Sequence, residues 1–167
     1  MYKVNSQNMK KINLIWTFLL FLSLGFFSCN NDDDLDGPNF ISSKINNVNW
    51  NGIPEININQ VNDTLTLLGS GNEQVIVFKI KFNGEGVYNL SGTQANYYTT
   101  VGRDVITSLY TLDTSTPSQI IITEYNSEQK ILKGNFKLSL LQKWSNPENN
   151  DNLLSFTSGR FKGSLTN

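Results

Sequence analysis

Glu85 and Glu124, a Ser-x-x-Lys pattern over Ser127 to Lys130, and the single thiol of Cys29 are the residues of this 167-residue chain whose types and spacing can do chemistry. A carboxylate pair is what glycoside hydrolysis needs, one as proton donor and the other as nucleophile or base. The spacing does not fix the distance between Glu85 and Glu124. Glu85 falls in the turn-like run Asn83-Gly84-Glu85-Gly86, and Glu124 shares the parity of Ile120 and Ile122, so it faces outward if they do. Ser127-Glu128-Gln129-Lys130 matches one box of the penicillin-recognising enzymes, but it reads as a hairpin turn and the other boxes are missing. Gly69-Ser70-Gly71 offers two glycines of a phosphate-binding loop, yet Gln74 stands where a third is needed and no helix follows, so a turn is sufficient. With no His and one Cys, the chain cannot build an imidazole ligand, a catalytic triad or a zinc site of His or paired Cys. No metal and no cofactor is expected, and a small carboxylate-dependent hydrolase of envelope or extracellular glycans is the enzymatic alternative.

Cys29 points to modification rather than catalysis. Lys3, Lys10 and Lys11 precede an apolar run from Ile12 to Phe27 that is 16 residues long and ends in Gly25-Phe26-Phe27-Ser28-Cys29. A membrane-spanning helix wants roughly 20 residues, so residues 1–28 read as a cleaved export signal. A small residue directly before the only Cys resembles the lipobox of bacterial lipoproteins, which implies acylation of Cys29 and attachment to the membrane through a lipid anchor. An ordinary signal peptide with an incidental Cys is the plainer alternative. An exported chain with one Cys has no internal disulfide, and acylation accounts for that count without an exposed thiol.

Residues 29–38 form a polar, acidic tether that cannot pack a core. Asp32, Asp34, Asp36 and Gly37 imitate the start of a calcium loop, but Ser43 stands where a bidentate Glu is required. Asp32, Asp33 and Asp34, just after the Cys, resemble the export signal that sends Bacteroidota lipoproteins to the outer face of the outer membrane. From Pro38 onward the chain carries as many basic as acidic residues, so no polybasic surface exists for nucleic acid, which is not an expected partner.

The body must therefore position whatever function remains, and its pattern is strand and turn. Apolar residues recur with period two, as in Ile76, Phe78, Ile80 and Phe82, between breaks of Gly, Asn, Asp and Ser. Strands are predicted at 40–45, 48–50, 56–59, 64–68, 74–82, 87–90, 97–101, 105–112, 119–125, 131–141 and 154–161, with a hairpin joining 74–82 to 87–90. Short strands at this spacing indicate one all-β domain over 39–167, an antiparallel β-sandwich or flattened barrel of nine to ten strands. Gln142 to Asn152 is the longest polar gap and is predicted as an irregular loop.

Phe40-Ile41-Ser42-Ser43-Lys44-Ile45-Asn46-Asn47-Val48-Asn49-Trp50, Gly86-Val87-Tyr88-Asn89-Leu90, Ile121-Ile122-Thr123-Glu124-Tyr125, Leu132-Lys133-Gly134-Asn135-Phe136-Lys137-Leu138 and Phe156-Thr157-Ser158-Gly159-Arg160-Phe161 resemble, in that order, an uncharacterised family of small Bacteroidota lipoproteins. The resemblance implies an all-β exported lipoprotein and carries over no active site. Asn47 stands where such sequences commonly carry Gly.

Trp50, Phe78, Phe82, Tyr88, Phe136 and Phe161 sit on strand patterns and are expected in the core. Tyr97, Tyr98 and Trp144 are the candidate ligand-binding residues, Trp144 bordering the Asn-rich loop, with a capping role at the end of the sandwich as the plainer reading. The expected role is a non-catalytic, surface-exposed outer-membrane lipoprotein that binds a glycan, peptide or envelope protein.

Overall fold

The computed structural model describes residues 37–149 and 151–166, so Cys29, Asp32, Asp33 and Asp34 lie outside the described residues. The chain from Pro38 onward is a compact unit of ten strands: β1 (Phe40–Ile45), β2 (Val48–Asn59), β3 (Thr64–Gly71), β4 (Gln74–Lys81), β5 (Gly86–Asn89), β6 (Ala95–Val101), β7 (Val105–Leu112), β8 (Gln119–Asn126), β9 (Ile131–Ser145) and β10 (Leu153–Ser164). All ladders between strands are antiparallel. The order β10-β1-β2-β3-β4-β6-β7-β9 returns to its start because β9 also pairs with β10. The sheet therefore closes on itself, and the fold is a barrel rather than two open sheets.

β7 and β8 lie end to end along one edge of β9, Leu112 opposite Leu140 and Gln119 opposite Lys137. β5 and β6 follow β8 and β7 in the same way. Two interrupted strands thus serve as single staves, and the ring has eight staves running alternately up and down. The break between β7 and β8 is held by Asp113, whose carboxylate accepts from the Ser115 amide at 2.9 Å, the Ser115 hydroxyl at 2.7 Å and the Ser139 hydroxyl at 3.3 Å. These bonds, with Ser115 first, hold its carboxyl below the usual carboxylate range. A depressed folded-state pKa adds stability that is full above the unfolded value, about 3.9, and is lost as pH falls through the folded one. Urea midpoints measured from pH 7 down to pH 2.5 should therefore fall less steeply below about pH 4 for Asp113→Asn than for the natural chain. Parallel curves would remove Asp113 from the acid response.

Alternation puts Ile41, Leu65, Leu67, Ile76, Phe78, Ile120, Leu132 and Phe161 inside the barrel, all buried. Phe78 and Phe136 meet edge to face at 5.1 Å. The barrel is filled rather than hollow, and glycines make room for the rings. A Cβ on Gly159 would lie 2.5 Å from both the ring and the carbonyl oxygen of Phe136. The aromatic residues assigned to the core are all buried or half-buried against it.

Several sequence expectations change. Segments 48–50 and 56–59 are one strand, β2, since the residues between them continue its pairing with β3 from Ile53 onward. Gly69 and Gly71 belong to β3 and not to a turn; they are small because Ile41 and the Asn51 backbone crowd them. The turn is Asn72–Glu73, both at positive φ. Asn46 and Asn47 are also at positive φ, 47° and 69°, so two asparagines make the first hairpin's turn without glycine. β4 does not pair with β5: its partner is β6, and β5 pairs with β8. Tyr88 folds back over the intervening turn, its hydroxyl accepting from the Asn83 amide at 2.9 Å and donating to the Gly84 carbonyl at 2.6 Å, which directs β5 away from β4.

Candidate functional site

The barrel has two distinct ends. Turns 46–47, 72–73 and 102–104 and the connection 146–152 lie at one end, termed the upper; turns 60–63, 82–85 and 127–130 lie at the lower end, where the chain enters β1 at Phe40. At the upper end the inner face changes character. Below, the ring Gly69, Ile76, Tyr97, Tyr110 and Gln142 is joined across β3, β4, β6, β7 and β9, and above it come Gln74, Thr99, Ser108 and Ser145. Apolar filling gives way to amides and hydroxyls. The result is a cup of about 580 Å³, bordered by Trp50, Gln74, Tyr97, Thr99, Ser108, Tyr110 and Leu154, with Asn149 and Asp151 of the 146–152 connection at its rim. This volume suits a small ligand or a short segment of a larger one.

Each wall has a local cause. Trp50 donates its indole N–H to the Gly71 carbonyl at 3.2 Å, which locks the ring over the top of β3. Tyr97 is 4% exposed and Tyr110 2%. Tyr97 packs edge to face on Phe156 at 5.4 Å and on Tyr110 at 5.7 Å, so its ring is clamped between strands. The Gln142 side-chain amide donates to the Tyr110 hydroxyl at 3.1 Å and also to Asn149, tying the 146–152 connection to the barrel. Burial first, then the neighbouring Tyr110 and Asp151, push the Tyr97 hydroxyl far above the usual tyrosine range. It is a neutral donor throughout the physiological range.

The three aromatic candidates separate. Tyr97 faces the cup, whereas Tyr98 and Trp144 stand on the outer face, in one row through Leu109: Tyr98 opposite Leu109, and Leu109 opposite Trp144. Trp144 belongs to β9 and not to a loop, because Ser145 still pairs with Ser108 and the irregular connection is only 146–152. Strict alternation from Gln142 would send Trp144 inward. A register shift at Lys143 turns it out, where it is 43% exposed. Gln74, Thr99, Ser108 and Tyr110 were not singled out by the sequence; their only signal is polarity at inward positions near strand ends.

The carboxylates do not gather. Glu124 is ion-paired to Lys133, its cross-strand neighbour, at 2.8 Å on the outer face. Ile120 and Ile122 do face the core, but a register shift at Thr123 reverses the parity. Glu85 accepts from the Tyr125 amide at 3.0 Å. Ser127 and Lys130 flank the turn between β8 and β9 at the lower end. Neither Glu85 nor Glu124 borders the cup. Among the described residues no group of His, Cys, Asp and Glu is placed to hold a metal ion, and no helix is long and apolar enough to cross a membrane.

A family model described as a domain of unknown function, DUF6252, matches residues 38–163. The chain belongs to this family. No curated protein and no solved structure matches it. The DUF6252 match begins at the lower end, just before Phe40, and runs through the pairing of β10 with β9, so it spans the closed barrel and the whole cup.

Proposed function

We propose that this DUF6252 protein is a non-catalytic binding module, anchored through an acylated Cys29 to the outer membrane of a bacterium of the Bacteroidota, facing the cell exterior, and holding its partner at the upper end of the barrel. The observation that carries this reading is the cup itself: buried aromatic walls, neutral amides and hydroxyls, and Asp151 as the sole acidic residue among the described residues that line it. Catalysis by paired carboxylates needs two acids around one substrate, whereas recognition needs donors and acceptors on a rigid frame. Strand walls supply that frame. The barrel's first strand begins at Phe40 on the lower end, opposite the cup.

Metabolic labelling with a fatty-acid probe tests the anchor. The natural chain should carry label and Cys29→Ala none; equal labelling would end the lipoprotein reading. Replacing Asp32, Asp33 and Asp34 together with Ala should leave the label but shield the protein from protease added to intact cells. Unchanged digestion would leave the acidic run as a spacer only.

A further inference from the structure

The Tyr97 hydroxyl is not explained by the fold. A buried tyrosine ordinarily gives its O–H a partner. Tyr110, beside it, has one in Gln142, whereas among the described residues the Tyr97 hydroxyl has none. Every fully occluded side-chain polar atom in the described residues has a partner, so this unpartnered hydroxyl is not occluded; it opens into the cup its ring borders. A phenylalanine would keep both edge-to-face ring contacts.

We propose that the cup takes a neutral saccharide unit, with the Tyr97 hydroxyl donating to a sugar oxygen and Asp151 turning away acidic saccharides. This inference rests on the binding reading above and gives it a ligand class. Three features select that class. First, Thr99 Oγ1 lies 2.8 Å from Thr107 Oγ1 and 2.6 Å from Ser108 Oγ. Two bonds use two of the three hydroxyl protons, so one is left for a partner outside the trio. Second, Gln74 offers both amide donors and a carbonyl acceptor, while Asn149, whose Oδ1 already accepts from Gln142 and from the Asp151 amide, adds amide donors. A sugar hydroxyl answers both kinds at once. An ammonium group has only donors and would leave the Tyr97 O–H and the amide N–H groups without an acceptor. Third, among the described residues no Lys or Arg borders the cup, while Asp151 does, so a carboxylate or sulfate on the sugar meets a like charge with no described cation to offset it.

The test uses the full lipidated chain in detergent micelles, titrated with neutral trisaccharides of glucose, mannose, galactose and N-acetylglucosamine and with the uronate-containing counterparts. At least one neutral trisaccharide should bind saturably, and its uronate counterpart more weakly. Tyr97→Phe should weaken the neutral interaction roughly three- to tenfold, the value of one hydrogen bond, with the thermal midpoint unchanged or raised. Asp151→Asn should raise affinity for the uronate counterpart several-fold relative to the neutral sugar, narrowing the preference between the two. Absence of saturable binding to any neutral trisaccharide, equal binding of neutral and acidic forms by the natural chain, or full affinity in Tyr97→Phe each overturns the proposal. If the cup's rim instead proves to contact a peptide or a protein of the envelope, the saccharide class is wrong while the binding reading stands; if partners contact only other surfaces, both are wrong.

Discussion

Gly134→Ala is expected to destabilise the barrel by about 3 kcal/mol, the upper end of the usual cost of overpacking, and to lower the thermal midpoint by roughly 10 °C. Gly134 sits mid-strand in β9, paired with Ile122 of β8 on one side and Phe161 of β10 on the other. A Cβ there would run into the Ile121 carbonyl oxygen and come within 2.6 Å of the Phe161 ring. The ring can turn, but the carbonyl is held in a ladder on both sides of its strand. Phe161→Leu placed with Gly134→Ala should therefore recover only part of the loss. Full recovery would show that the ring, and not the backbone, sets the limit. A midpoint within about 2 or 3 degrees of the natural chain would show that β8 and β9 are not as close as described.

The second large effect joins stability to the cup. Phe156 is fully enclosed and supports the Tyr97 ring from below. Phe156→Ala should cost about 3–5 kcal/mol, the range for emptying a buried aromatic site. Phe156→Leu retains most of the volume and should cost less than about 1.5 kcal/mol. If the leucine variant folds with a near-natural midpoint yet Tyr97 changes its solvent accessibility, the ring clamp is confirmed as the element that aims the hydroxyl. Denaturant melts with constant slope read the first effect, and hydroxyl-selective tyrosine modification reads the second.

Period two in the sequence was enough to place nearly every strand, because half-buried strands must alternate and Ile76, Phe78 and Ile80 do so without interruption. It failed where the backbone departs from alternation. Four register shifts, at Thr107 in β7, at Thr123 in β8, at Lys143 in β9 and at Thr157 and Ser158 in β10, each reverse the face of the residues beyond them. Trp144 and Glu124 end outside for this reason. A bulge has no compositional signature comparable to a turn's, and Ser158, held at positive φ, could equally be an ordinary strand residue by type. Closure was illegible for another reason. The β9–β10 ladder that completes the ring, and the joining of β7 with β8 into one stave, depend on partners chosen in three dimensions. The cup was half legible. Tyr97 and the polar connection after Ser145 stood out, whereas Gln74, Thr99 and Ser108 looked like common strand polar residues until the ring brought their inward faces together.

Photo-crosslinking on intact cells tests the central claim most directly. A photoactivatable side chain is placed at Asn49, on the exposed rim of the cup, and in a second version of the full chain at Gln60, exposed at the lower end. Both positions tolerate a larger side chain without disturbing the core. Binding at the upper end predicts a covalent adduct from Asn49 that Tyr97→Phe diminishes, and no adduct from Gln60. An adduct from Gln60 with a bare rim at Asn49 would contradict the account.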